Sequence, residues 1–323
     1  MSSKYRRLNL PAVVLFAVVC LATAALPNWM LFPASAAMAN AIAALGICAL
    51  MRTGNITFGQ SLPLCVGSYI AALLPQLFGV NDFFLNCMMA GLAAGGINSV
   101  LGAFMKRYTG IFFAMLTLAF AMVLYGTLAN ITALGGTDGF SAPAPSFLGY
   151  TPSQEHRPSL TFFCAGLVGV AALFLTNRFF ESRTGWAARA VGANDIRVAY
   201  LGANASSVLW ISISYSGFLA GVGGALMAAI TGHVTPDLAY WTHSGELVLI
   251  AILGNSSQAI AIFVASIVIE TMRVVSSAAF PYTWQGGLGL MLLAIVFLLP
   301  DGLDAVIRRR VGRLNSNTGG DGK

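Results

Sequence analysis

Charge is what this sequence has least of. Only 28 of its 323 residues are charged, 17 Lys and Arg against 11 Asp and Glu, whereas a soluble domain devotes about a quarter of its residues to charge. So few charges cannot cover a surface that faces water, which excludes a soluble enzyme core. The 57% content of hydrophobic residues excludes a disordered chain as well. Cysteine is scarce too. Cys20, Cys48, Cys65, Cys87 and Cys164 each sit inside an apolar run with no CxxC or CxxH spacing. Neither a disulfide framework nor a metal site is built that way, and they read as small packing residues.

Catalytic equipment is missing as well. The chain has no GxxxxGK[ST] phosphate loop, no HExxH and no GxSxG, and His156, His233 and His243 are scattered. It therefore has no means of hydrolysing ATP and no convergent set for chemistry of its own. No metal and no cofactor are expected on this chain, and anything moved through it must draw energy from an ion gradient or from another subunit. A net charge of +6 suits nucleic acid, but basic residues on a membrane protein serve first to orient it, so no nucleic acid partner is expected.

What the sequence does contain is long apolar runs. A bilayer core of about 30 Å takes about 20 apolar residues per helix, and every backbone group must be bonded within the span. The runs fall at 8–26, 34–51, 57–78, 83–105, 110–131, 159–177, 206–230, 244–254, 257–276 and 285–300. They predict an all-α, polytopic integral membrane helix bundle of about 10 spans (8 to 10). The first run follows Lys4, Arg6 and Arg7 and is expected to stay as an uncleaved span. The eighth is too short to cross, and it reads as a half-helix that turns at Gly254-Asn255-Ser256-Ser257 or as the first part of a bent span. With the amino terminus inside, 15 of the 17 basic residues lie on the cytoplasmic side, all but Arg157 and Arg273. That is the bias of cytoplasmic loops, and it sets both termini inside.

On this plan residues 1–323 form a single membrane-spanning domain. It has a periplasmic loop at 132–158, a cytoplasmic loop at 178–205 and a polar cytoplasmic tail at 304–323. The outer loop carries Gly135, Gly136, Thr137 and Asp138, residues that supply positive φ and side chains bonding their own backbone. They read as a rigid turn or as a direct ligand contact at a gate. In the inner loop a short helix is expected from Thr184 to Gly192. Asn194 then caps a second, with Asp195 in its first turn and Gly202 ending it. Ile196, Ala199 and Tyr200 share one face of that helix, and Arg197 points elsewhere. Such helices lie on headgroups or dock into a partner, and spacing alone favours neither.

Inside the spans, Gly91-Leu92-Ala93-Ala94-Gly95 and Gly217-Phe218-Leu219-Ala220-Gly221 are GxxxG repeats. They read first as close helix packing and second, through Gly217 and Gly221, as the wall of a path. Glu246 and Glu270 are intramembrane acids and hence functional candidates, although Arg273 follows Glu270 by three residues, the spacing of a structural ion pair. An ion-coupled secondary transporter of a small polar solute, using these two acids, is the alternative function.

Several segments match a known family. Gly110-Ile111-Phe112-Phe113-Ala114-Met115-Leu116-Thr117-Leu118-Ala119-Phe120-Ala121, followed by Gly135-Gly136-Thr137-Asp138-Gly139, resembles the branched-chain amino acid permease subunits of ABC transporters, of the LivM type. Gly54-Asn55-Ile56-Thr57-Phe58-Gly59-Gln60 is similar to that family's motif before its third span. The inner loop, with Arg189-Ala190 and Asn194-Asp195, is similar to the loop these permeases present to their ATPase. Phe218 to Leu226, Val234-Thr235-Pro236-Asp237 and Leu299-Pro300-Asp301-Gly302-Leu303 resemble its closing landmarks. One departure is the run Asn255-Ser256-Ser257-Gln258-Ala259, where the family continues with glycines and a Gly-Pro.

The resemblance implies a permease subunit in the bacterial cytoplasmic (inner) membrane and no ATPase site on this chain. It implies a second permease of the LivH type, two cytoplasmic ATPase subunits that bind ATP, and a periplasmic substrate-binding protein. It also tips the inner loop from headgroup contact to ATPase coupling, through Arg189, Asn194, Asp195, Arg197 and Gly202. The solute it implies is small and net-neutral, a branched-chain amino acid first.

Overall fold

The computed structural model describes residues 27–279, apart from 80, 148, 151, 154, 155, 203 and 255–258, together with isolated positions between 15 and 23 and between 286 and 293. The spans expected at 8–26 and 285–300, the tail at 304–323 and the turn through residues 255–257 fall outside the continuously described chain. Within it the order is α1 (Asn28–Met51), α2 (Ser61–Phe78), α3 (Phe83–Met105), α4 (Gly110–Asn130), β1 (Phe140–Ser141), α5 (Arg157–Phe180), α6 (Arg183–Ala193), α7 (Asp195–Tyr200), α8 (Ala205–Thr231), β2 (His233–Val234), α9 (Trp241–Gly254) and α10 (Ala259–Ala279). Among the described residues, seven helices are long and apolar enough to cross a membrane: α1 to α5, α8 and α10. The molecule is an all-α polytopic membrane protein.

α1 is the central helix. Its run of Ala36, Ala37, Ala39, Ala41, Ala43, Ala44 and Ala49 is buried throughout, and α5, α8, α9 and α10 pack around it. Small side chains allow this, because lipid gives no hydrophobic drive for helices to associate and close backbone approach must supply it. The two GxxxG repeats meet at the next layer, between α3 and α8. A Cβ at Gly221 would sit 2.7 Å from the Ala90 carbonyl, and one at Gly95 would sit 3.2 Å from the Phe218 Cβ. Gly217 rests on the Asn98 side chain, which donates to the Ile213 carbonyl at 2.8 Å. Gly217 and Gly221 are thus helix-packing residues, with protein rather than open space against them.

Two expected spans take a different form. The run at 57–78 becomes helical only at Ser61, and residues 53–60 before it form an irregular segment that starts in a turn at Thr53 and Gly54, with burial alternating from residue 53 to 59. Glycine and β-branched Thr and Ile favour that conformation over helix. The short eighth run starts earlier than expected, at Trp241, and is 14 residues long. The turn expected after it, through residues 255–257, lies outside the described residues.

Candidate functional site

The segments that precede α2 and α9, an irregular one at 53–60 and one at 232–240 that ends in a 3-10 turn at Pro236–Ala239, meet inside the bundle. Gln60 donates to the Ala43 carbonyl at 3.0 Å and to the Ser216 carbonyl at 3.2 Å, and accepts from the Ser216 hydroxyl at 3.0 Å. Ala43 lies eight residues before the end of α1, so Gln60 sits about 12 Å along that helix from its Met51 end. Next to it the first turns of α2 and α9 are joined. The Ser61 amide donates to the Ser244 hydroxyl at 2.9 Å, that hydroxyl donates to the Ser61 hydroxyl at 2.8 Å, and the latter donates to the Ala239 carbonyl at 3.0 Å. Two helices therefore begin inside the bundle, about a third of the way along α1 from its Met51 end, reached from opposite ends by residues 53–60 and 232–240.

The segment at 232–240 is covered. Gly135, Gly136 and Gly139 take φ of 86°, 58° and 69°, which folds residues 132–138 into two successive 3-10 turns. β1 then pairs antiparallel with β2, Phe140 opposite Val234. The His233 ring and the Asp138 carbonyl are hydrogen-bonded at 2.8 Å. Thr137 donates to the Asp138 carboxylate at 3.3 Å, and both side chains are exposed. Tyr125 and Tyr240 lie 5.2 Å apart between centroids, closing the turn over α4.

The loop at 178–205 forms the two helices that spacing predicts. The Ser182 hydroxyl accepts from the Gly185 amide at 3.2 Å and starts α6. Asn194 Oδ1 accepts from the Arg197 amide at 2.8 Å and starts α7. Asp195 Oδ1 accepts from the Ile196 amide, and Gly202 has φ of 82°. α6 is seated on the end of α1, where a Cβ at Gly192 would stand 3.0 Å from the Gly54 amide. The Arg52 guanidinium lies 3.3 Å over the Phe180 ring. Burial lowers Arg52 to about 10, with Arg189 nearby acting in the same direction, which still leaves it a cation at neutral pH. Trp186, Ile196, Tyr200 and Leu201 are 59%, 64%, 88% and 86% exposed, an apolar set projecting from a firmly seated base. Arg189 stands 5.9 Å over Trp186.

The intramembrane acids are tied to one cation. Arg273 donates to both oxygens of Glu270 at 2.9 and 2.8 Å, as the three-residue spacing predicts. It also stands 3.8 Å from Glu246 of α9, which in turn lies 3.7 Å from His243. Sequence spacing does not expose this second link, because it joins two helices. The same is true of Gln60, Ser61 and Ser244. Their only sequence signal is a run of small polar residues interrupting an apolar stretch.

A family model described as branched-chain amino acid transport system / permease component matches residues 29–299. The chain is 26% identical over 294 residues to the high-affinity branched-chain amino acid transport system permease protein LivM of Escherichia coli strain K12, and 27% identical over 274 residues to the protein of that name in Salmonella typhimurium. The matches cover 83% and 78% of this chain and 68% and 64% of those relatives, so the chain spans about two thirds of their length. No solved structure matches.

Proposed function

Because the chain belongs to the branched-chain amino acid transport permease family, we propose that it is the membrane subunit of an ATP-driven importer, forming half of the path for a branched-chain amino acid. The observation that carries this reading is the inner loop. α6 and α7 form a two-helix platform braced on the end of α1 and on Phe180, with Trp186, Ile196, Tyr200 and Leu201 left uncovered. An apolar patch on a braced base suits a protein partner better than a flexible headgroup contact. The partner would be one of two cytoplasmic ATPases. Arg189 and Arg197 contribute to that contact, while Asn194, Asp195 and Gly202 shape the platform. A LivH-type permease completes the path, a periplasmic binding protein delivers the solute, and the assembly sits in the inner membrane.

In this reading ten spans place both termini inside, and ATP-driven closure of the ATPases moves the platform and opens the path to alternate sides, a coupling between two global states. The outer turn at Gly135, Gly136, Thr137 and Asp138 serves as the gate on the far side. The bidentate grip of Arg273 on Glu270 supports a structural role for the acids over proton coupling.

Replacing Tyr200 and Leu201 by Ser removes no packing within this chain. In the reconstituted complex it is expected to weaken ATPase association by about 30-fold or more, the scale of losing an interface hot spot, with membrane insertion unchanged. Unaltered association and uptake in that variant would sink the docking reading. A reporter active only in the cytoplasm, fused at Lys323, is expected to be active.

A further inference from the structure

From residues 53–60 we infer that this irregular segment lines the solute path, with Ile56 and Phe58 forming the contact for the aliphatic side chain of the transported amino acid. The inference rests on the importer reading and adds the surface that meets the substrate.

The argument begins with the backbone. Phe58 is held by its amide donating to the Thr117 hydroxyl at 3.2 Å. Thr117 lies seven residues into α4, about 10 Å along it. Between the level of Gly110, where Asn55 is bonded, and that of Thr117 the backbone is irregular, and the amides of Ile56 and Thr57 have no hydrogen-bond partner among the described residues. Hydrocarbon does not tolerate this. Each unsatisfied amide costs several kcal/mol in lipid, so irregular backbone at membrane depth is buried in protein or faces a water-filled cavity.

Burial separates those two cases. Thr53, Asn55, Thr57 and Gly59 are buried, whereas Gly54, Ile56 and Phe58 between them are exposed, Ile56 and Phe58 by 36% and 40%. One side of the segment is therefore anchored. Asn55 Oδ1 accepts from the Gly110 amide at 2.8 Å, Thr117 holds Phe58, and Gln60 fixes the far end. The other side is bare. A bare segment with free amides and two large apolar side chains cannot face acyl chains, and it offers what a zwitterion with an aliphatic side chain needs. The amides and the water they hold meet the polar end, and Ile56 and Phe58 meet the apolar end.

The test uses thiol labelling in the assembled transporter. Ile56→Cys and Phe58→Cys are compared with Val100→Cys, which is 74% exposed on α3 five residues before its Met105 end, and with the native protein, whose Cys48, Cys65, Cys87 and Cys164 are buried. Only a thiolate reacts, and it forms in water. A charged, membrane-impermeant reagent is thus expected to modify the two path positions about tenfold faster or more than Val100→Cys, and leucine is expected to slow them several-fold. Phe58→Ala is expected to shift the ratio of leucine to alanine uptake about tenfold, the scale set by lost contact in an apolar pocket. A variant that merely disturbed the fold would lower both uptakes alike. Labelling no faster than Val100→Cys, or labelling that leucine leaves unchanged, overturns the assignment. Failure of the importer reading would appear separately, as uptake independent of ATP and of partner subunits.

Discussion

The two segments that lead into the bundle have one task and opposite finishes. Residues 232–240 come from the end that carries residues 132–141, with β2 paired to β1, His233 bonded to the Asp138 carbonyl and Tyr240 against Tyr125. Residues 53–60 come from the opposite end, where α6 lies, with one flank anchored and the other uncovered. Each delivers a helix amino terminus to the same pair of serines, Ser61 and Ser244. Membrane depth forbids exposed irregular backbone in lipid, so the difference between them is informative. The covered segment is a structural plug, and the bare one has something wet or solute-bearing against it.

The largest effect is expected where the two segments depend on one residue. Gln60→Leu leaves the Ala43 and Ser216 carbonyls and the Ser216 hydroxyl without the partner they share. The two carbonyls keep their helical hydrogen bonds, so the loss is two hydrogen bonds of about 1 kcal/mol each and one buried hydroxyl left unpaired at about 1–3 kcal/mol, about 3 kcal/mol or more in all, read as a fall in the thermal midpoint of the purified protein. A small change would mean that the junction is hydrated, and the two segments would no longer be joined by a dry centre.

Next come two glycines that take positive φ, one in each half of the comparison. Gly139 has φ of 69°, and a Cβ there would overlap the Val234 carbonyl. Gly54 has φ of 77° and only the Gly192 Cα within 3.3 Å. Both Ala variants carry the left-handed strain of about 1–2 kcal/mol per residue, but only Gly139→Ala must also break the β1–β2 pairing. Its destabilisation should exceed that of Gly54→Ala by about 1 kcal/mol, one lost backbone hydrogen bond. Equal costs would mean that the plug is no more rigid than the bare segment. Ser244→Ala follows, expected to cost about 1–2 kcal/mol, since the Ser61 amide loses its acceptor while the Ser61 hydroxyl keeps Ala239. Here a thermal shift indistinguishable from the native protein would show that α2 and α9 do not need each other.

Most of the helices are legible in the sequence and the junction is not. α3 runs over the expected 83–105, and α4, α5 and α8 match to within a few residues, because apolar runs bounded by charge and Gly are long, one-dimensional signals. The caps at Asn194 and Gly202 are readable for a similar reason, since a cap is a local bond. The start of α2 lies four residues beyond the expected one. Thr57, Phe58 and Gly59 are apolar or neutral enough to extend a span, and the bond from the Phe58 amide to Thr117, 59 residues away, holds them in an irregular segment instead. Glu246 is hidden in the same way. Its place beside Arg273 depends on how α9 packs on α10, which no spacing within either helix records.

The smallest stability change is expected at the bare segment itself, and it decides what the segment faces. Ile56→Lys puts an ammonium on the uncovered side of residues 53–60, while Leu92→Lys puts one on α3 at a position 54% exposed, on the helix that also exposes Met88 and Met89. A Lys at mid-span against hydrocarbon costs about 2.5–3.5 kcal/mol on insertion scales, and Leu92→Lys should approach that figure. Against water the same side chain keeps its hydration, so Ile56→Lys should shift stability by less than about 0.5 kcal/mol, as surface substitutions do, while uptake of the amino acid falls because the apolar contact is gone. If the two variants cost the same, the segment at 53–60 is covered by lipid or by a dry partner surface, and its exposed flank would then be unfinished packing rather than the wall of a path.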